Sequence, residues 1–191
     1  MSDIIQHINA NRTWFRASGS GTKDDPYHPR MNTLDYAHWE IHSGSHYFYE
    51  NYVELGNGGI QSIEITTPDT TKWAHLLFSV HSDLTAIIEL LEGPAAGTGG
   101  SEVTPVNNNR NSSNTSGLTV KTGVTAGAGG TSLMKRHIGS GTNPSSANPG
   151  EASRDSEIIL KQNTIYLLKI TSGAASNNVD YRLSWYEHTG N

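Results

Sequence analysis

The chain has 191 residues, a mass of 20.7 kDa, a net charge of −5 and no cysteine, which excludes a disulfide framework and thiolate chemistry. With 34% of residues hydrophobic and 16% charged, it carries too little charge for a disordered chain. Its weakly acidic balance gives no electrostatic footprint for nucleic acid. A chain of this size forms one domain with a full core, removing roughly two-thirds of its unfolded surface from water.

The opening residues, MSDIIQHINANRTWFR, contain no basic segment followed by an apolar one, so no signal peptide is expected. Residues 1–46 lack sustained periodicity and are dotted with aromatics: Trp14, Phe15, Tyr27, Tyr36 and Trp39. Ile4, Ile5 and Ile8 could form one amphipathic turn, too short for a stable helix. This segment reads as an extended N-terminal arm that gains order by lying on another surface, with residues 47–191 forming the folded domain.

From Tyr47 onward the pattern is that of strands. Candidates are Phe48–Leu55, Ile60–Thr67, Trp73–His81, Thr85–Glu92, Leu118–Thr125, Thr131–Ile138, Ser156–Leu160, Thr164–Thr171 and Val179–His188. Alternation is clearest at Ile63 and Ile65, and at Tyr181, Leu183 and Trp185 against Arg182, Ser184 and Tyr186. The runs Leu76–Leu77–Phe78 and Ile158–Ile159–Leu160 do not alternate, as expected where both faces are covered. Gly56–Asn57–Gly58–Gly59 marks a tight turn, and Lys161–Gln162–Asn163 reads as a hairpin loop. Two spacers rich in Gly, Ser, Thr, Asn and Pro, Gly93–Gly117 and Gly139–Asp155, carry almost no apolar residues. Short strands with two long connections predict an all-β fold. The form expected is a jelly-roll-like antiparallel β-sandwich displaying long loops, with an up-and-down barrel as the alternative. No apolar run approaches the ~18 residues needed to span a bilayer, so no membrane partner is expected.

The chemistry-bearing residues form no recognisable catalytic pattern. His38, His42 and His46 fall at i, i+4 and i+8, the spacing of a metal-binding helix face. Ser43–Gly44–Ser45 and the aromatic run after it favour an extended chain instead, so no metal is expected unless an oligomer axis shares one. His75 and His81 read as partly buried strand histidines. Glu54 and Glu64 alternate with apolar residues, and Glu89 and Glu92 sit at or near the end of an apolar strand, as on solvated strand faces. G-x-S-x-G, P-loop, H-E-x-x-H and EF-hand patterns are absent. Tyr181, Trp185 and Tyr186 could stack on sugars but fit a packed closing strand better. Catalytic residues and cofactors are therefore not expected, and the protein is not read as an enzyme.

Four stretches carry a resemblance: HYFYENYVELGNGGIQSIEITTPDTTKWAHLLFSVHSDLTAIIELLEG, PVNNNRNS, GGTSLM and EIILKQNTIYLLKITSGAASNNVDYRLSWYEH. Together they resemble β-sandwich virion proteins of tailed bacteriophages, over roughly residues 47–189; residues 1–46 are not covered. The resemblance implies a head-associated structural protein of the capsid decoration (cement) type, made in the host cytoplasm and located on the capsid surface. Such a protein is expected to bind the major capsid protein and to associate with itself, as a homotrimer. Trp14, Phe15, Tyr27, Tyr36 and Trp39 would then contact the capsid or neighbouring subunits. A tail or fibre component that binds a host-surface glycan is the alternative.

Overall fold

The computed structural model describes residues 36–139 and 157–189, together with the backbone of three short N-terminal strands. The chain separates into two compact units, Met1–Ser43 and Gly44–Asn191.

In the first unit, β1 (Ile5–Ile8), β2 (Thr13–Ser18) and β3 (His28–Asn32) form an antiparallel sheet in the order β1-β2-β3. Ile5–Ile8, where a short amphipathic turn was considered and judged too short to hold as a helix, is a strand whose backbone groups pair with β2. Tyr36–Ser43 is a helix, α1, where an extended chain was expected. The run YAHWEIHS contains neither Gly nor Pro, so nothing interrupts it until Gly44. Gly44 has φ +72°, the left-handed geometry that ends a helix, and Ser43 Oγ donates back to the Glu40 carbonyl at 2.9 Å.

The second unit is a sandwich of two antiparallel sheets. One has the order β12-β6-β14-β4-β9, formed by β4 (His46–Leu55), β6 (Lys72–Ser82), β9 (Val106–Asn107), β12 (Ile158–Ile159) and β14 (Asn177–Thr189). The other has the order β11-β7-β13-β5-β10-β8, formed by β5 (Ile60–Thr66), β7 (Ala86–Glu92), β8 (Ser101–Val103), β10 (Thr119–Thr122), β11 (Thr131–Ile138) and β13 (Ile165–Ser172). Pairing is nested. Among the described strands of this unit β4 pairs with β14, β5 with β13, β6 with β12, β7 with β11 and β8 with β10.

Period-two alternation places one face of each strand in the core. Val179, Tyr181, Leu183 and Trp185 of β14 meet Ile63 and Ile65 of β5, Ile88 and Leu90 of β7, and Tyr166, Leu168 and Ile170 of β13. Each is nearly or fully buried, and burial of side chains of this size contributes ~1.5–3 kcal/mol apiece. Between the sheets, Asn177 is fully buried and makes four hydrogen bonds. Its Oδ1 accepts from Ser82 Oγ (3.0 Å) and the Leu84 amide (2.8 Å), and its Nδ2 donates to the Thr85 carbonyl (3.1 Å) and Ser172 Oγ (3.1 Å).

Several local expectations change. Lys161–Gln162–Asn163 is not a hairpin loop: it carries the chain from β12 in one sheet to β13 in the other, with Asn163 at φ +48°. Ile159 is 52% exposed, so β12 is not covered on both faces; it is an edge strand beside β6. The spacer Gly93–Gly117 carries β8 and β9 and crosses between sheets. Residues 140–156, which hold most of the spacer Gly139–Asp155, lie outside the described residues. Glu64 is not solvated. It is 4% exposed, because segments 93–100 and 123–130 fold as a further layer over the outside of the six-stranded sheet. Those segments join through the Thr98–Thr125 bridge and the Ala95 amide on the Ala128 carbonyl (2.9 Å). The Gly97 amide donates to Glu64 Oε2 at 2.6 Å, which compensates the buried carboxylate.

Candidate functional site

The outer face of the five-stranded sheet carries several of the exposed large side chains. Strand register brings Tyr52, Asp180 and His81 into one row and Glu50, Arg182 and Ser79 into the next. Phe48, Ser184 and Leu77 follow, then His46, Tyr186 and His75, with Ile159 beside His75 on the edge strand. Tyr52 is 69% exposed and Trp73, on the same face, 43% exposed. Arg182 pairs with Glu50 and lies 4.3 Å from the Phe48 ring centroid, so its charge is held flat against the sheet. Glu50, Asn51, Tyr52, Ser79, His81, Asp180, Tyr181 and Arg182 line a shallow cleft here. It offers the exposed ring of Tyr52 flanked by carboxylates, an imidazole and a guanidinium.

The loop beside this face is pinned by its own polar groups. Asn107 Nδ2 donates to the carbonyls of Gly44 (2.9 Å) and Asn114 (3.1 Å). The amides of Asn109 and Asn111 donate to the side-chain oxygens of Asn107 (2.8 Å) and Asn109 (3.1 Å). The Asn-rich stretch is thus a chain of local side-chain caps. At the same end Glu187, 7% exposed, accepts from Ser116 Oγ (2.7 Å), the Gly117 amide (3.0 Å) and Trp185 Nε1 (3.0 Å). Burial, with the Glu187 charge adding to it, pushes the Tyr47 phenol up to about 12.

Glu89 and Glu92 are both engaged. Burial works against the Glu89 carboxylate, but hydrogen bonds from Lys169 and Ser132, with the charges of Lys135 and Lys169, outweigh it and hold the group below its usual range. Lys161, then Tyr166, hydrogen-bond Glu92 and lower it likewise.

Of the predicted contact residues, Trp14 and Phe15 have backbones in β2, opposite Asn32 and Met31. Their side chains lie outside the described residues, as do Tyr27 and the side chain of Tyr36, which begins α1. Trp39 is half-buried on α1. His38 and His42 stand one helical turn apart with Nε2 atoms 2.9 Å from each other, while His46 belongs to β4. Among the described residues no three His, Cys, Asp or Glu side chains are arranged to hold one metal ion. Tyr181 and Trp185 point into the core and Tyr186 is 5% exposed, so none of the three offers a free ring to a sugar. Tyr52, whose ring is exposed, was missed because a single aromatic in an alternating strand does not reveal which face it takes.

A cluster that sequence reading also missed lies at one corner of the same sheet. His75 Nδ1 is 2.6 Å from Glu157 Oε1, which also accepts from the Tyr186 hydroxyl at 2.7 Å. His75 Nε2 is 2.7 Å from His188 Nε2, and the His75 ring stacks on Tyr186 with centroids 4.4 Å apart. No family model matches this chain, and comparison with curated proteins and with solved structures finds no match.

Proposed function

We propose that this protein is a virion structural protein of the capsid decoration type, which binds the outer capsid lattice and stabilises it as a homotrimer. The nested strand pairing supports a jelly-roll-like reading of the sandwich, consistent with the resemblance noted in the sequence. The observation that carries the functional proposal is the outer face of the five-stranded sheet. It presents exposed Tyr52, Trp73 and Ile159, bordered by a loop pinned by its own asparagines. A preorganised surface loses little entropy on docking, and repetition over many copies turns weak contacts into strong adhesion. In this reading Trp14, Phe15, Tyr27, Tyr36 and Trp39 tie adjacent capsid subunits together. The test is co-sedimentation of the purified protein with capsids that lack it. Binding is expected to fall in Tyr52→Ala and Trp73→Ala and to be abolished by deletion of residues 1–40, with the sandwich still folded. Undiminished binding in all three variants would overturn the assignment.

The cleft around Tyr52 favours a second reading, a tail or fibre component that binds a host-surface glycan. An aromatic platform beside Glu50, Asp180, His81 and Arg182 is suited to stack on a sugar ring and hydrogen-bond its hydroxyls. Glycan binding lost in Tyr52→Ala, with no affinity for capsids, would establish that reading in place of the first.

A further inference from the structure

The two edges of the six-stranded sheet are open and differ in charge. Among the described residues β11 pairs only with β7, and β8 only with β10. β11 presents Lys135, Arg136 and His137 in succession, all exposed, on a chain whose net charge is −5. β8 is Ser101–Val103, with Glu102 exposed at its centre. All five pairings from one edge to the other are antiparallel, so β11 and β8 run in opposite directions. A rotation about an axis along the strands keeps their sense. It therefore brings β11 of one copy beside β8 of the next as an antiparallel pair. Two β11 edges meeting across a two-fold axis at the basic run would instead set cations opposite cations, which destabilises a sheet.

We propose that the protein associates with itself through this contact, β11 of one copy to β8 of the next, repeated head to tail into a closed ring. The proposal rests on the homotrimer reading for the number of copies, three. Facing chemistry fixes the register. In β8 and its neighbours, Val103 lies in the row of Val120 and Ile65 on the core face, and Glu102 in the row of Lys121 and Glu64 on the outer face. In β11 and its neighbours, Met134 lies in the row of Leu90 and Leu168 on the core face, and Lys135 in the row of Glu89 and Lys169 on the outer face. Matching face to face puts Met134 opposite Val103, Lys135 opposite Glu102 and Arg136 opposite Ser101. Met134 and Val103 are half-buried and packed against the core, so pairing them carries the apolar layer from one copy into the next. The shifted register with His137 opposite Glu102 sets Arg136 against Val103. The Lys135 side chain is 62% exposed and 3.8 Å from Glu89, a loose surface pair that costs little to exchange. A lysine and a bulge ordinarily keep an edge strand from pairing. Here the bulge, at Leu133, ends just before the paired residues, and the lysine admits an edge that offers an acidic residue opposite it. β8 contributes three residues, so one contact is weak, and the ring holds because every copy is gripped at both edges.

The test is sedimentation velocity of the full chain over a range of concentrations, without capsids, with amide exchange read on the same samples. A trimer is expected, with exchange at residues 101–103 and 134–136 slowing as concentration rises. Each ring holds one Lys135–Glu102 pair per contact. Lys135→Glu and Glu102→Lys should each lower the trimerisation constant at least about tenfold, and the double variant should recover most of the loss. The new charges also fall beside Glu89 and Lys121, so urea unfolding of each variant separates lost association from lost folding. A trimer that neither variant weakens, with unchanged exchange at residues 134–136, would overturn this interface and leave the homotrimer standing. A monomer at every concentration, or an open fibre, would overturn both. A ring that behaves as expected but does not sediment with capsids would support the interface and overturn the decoration reading.

Discussion

Replacing Asn177 by Leu removes the polar centre that links the two sheets, and the cost can be worked group by group. Thr85 keeps a partner, because its carbonyl also accepts from the Gly173 amide at 2.9 Å. Ser172 keeps one too, since its Oγ donates to the Ala174 carbonyl at 2.8 Å. The Leu84 amide and the Ser82 hydroxyl lose the acceptor that Asn177 Oδ1 provided. An orphaned buried donor costs ~1–3 kcal/mol, so the loss of both acceptor contacts should destabilise the sandwich by about 2–6 kcal/mol. Urea unfolding followed by circular dichroism measures this, with Asn178→Ala as the control. The Asn178 side chain is exposed and donates to Asp83 Oδ2 at 3.0 Å, and its loss should cost less than ~0.5 kcal/mol. If Asn177→Leu is as mild as the control, the amide does not bridge the sheets and the reasoning fails.

Other outcomes follow from the same structure. A Cβ on Gly127 would lie 1.9 Å from the Ala95 carbonyl oxygen, so Gly127→Ala should lift the outer layer and speed amide exchange at Ala95, Thr98 and Thr125, with core exchange unchanged. Unaltered exchange there would contradict the close approach. Glu187→Gln turns one acceptor into a donor among donors; it should cost ~1–3 kcal/mol and change Trp185 fluorescence, and a silent variant would refute that network. Alkaline pH should also weaken the fold. Tyr166 is pushed up to about 12, chiefly by burial and further by Glu92, which accepts its hydrogen bond at 2.9 Å. Because its folded pKa lies above the unfolded value, its contribution is complete below pH 10.0 and is lost as pH rises from there towards about 12. The loss is at most about 2.7 kcal/mol for a shift of this size. Thermal unfolding between pH 9 and 11.5 should therefore fall less steeply in Tyr166→Phe than in the parent, and parallel curves would refute the assignment.

The main strands were legible because hydrophobic alternation and turn residues bracket them. Tyr181, Leu183 and Trp185 alternate with polar neighbours as predicted, and all three are in the core. The failures have physical causes. Strands β8 and β9 hold three and two residues, and they exist only because β10 and β4 offer them backbone partners. No local pattern announces such an edge. Glu64 looked solvated because alternation reports one buried face, whereas its second face is covered by a distant loop. Lys161–Gln162–Asn163 has hairpin chemistry, yet turn residues do not say whether the next strand stays in the same sheet. The histidine cluster was invisible for a related reason. His75 and Glu157 are 82 positions apart, and only the β6–β14 and β6–β12 pairings unite them with Tyr186 and His188.

The proposal of a decoration protein is tested most directly by its copy number relative to the major capsid protein in purified particles, measured by quantitative mass spectrometry. A ratio near one to one, or near one to three, is the result expected for a protein that covers the capsid lattice. Absence from the particles, or a ratio of a few per cent, would contradict it.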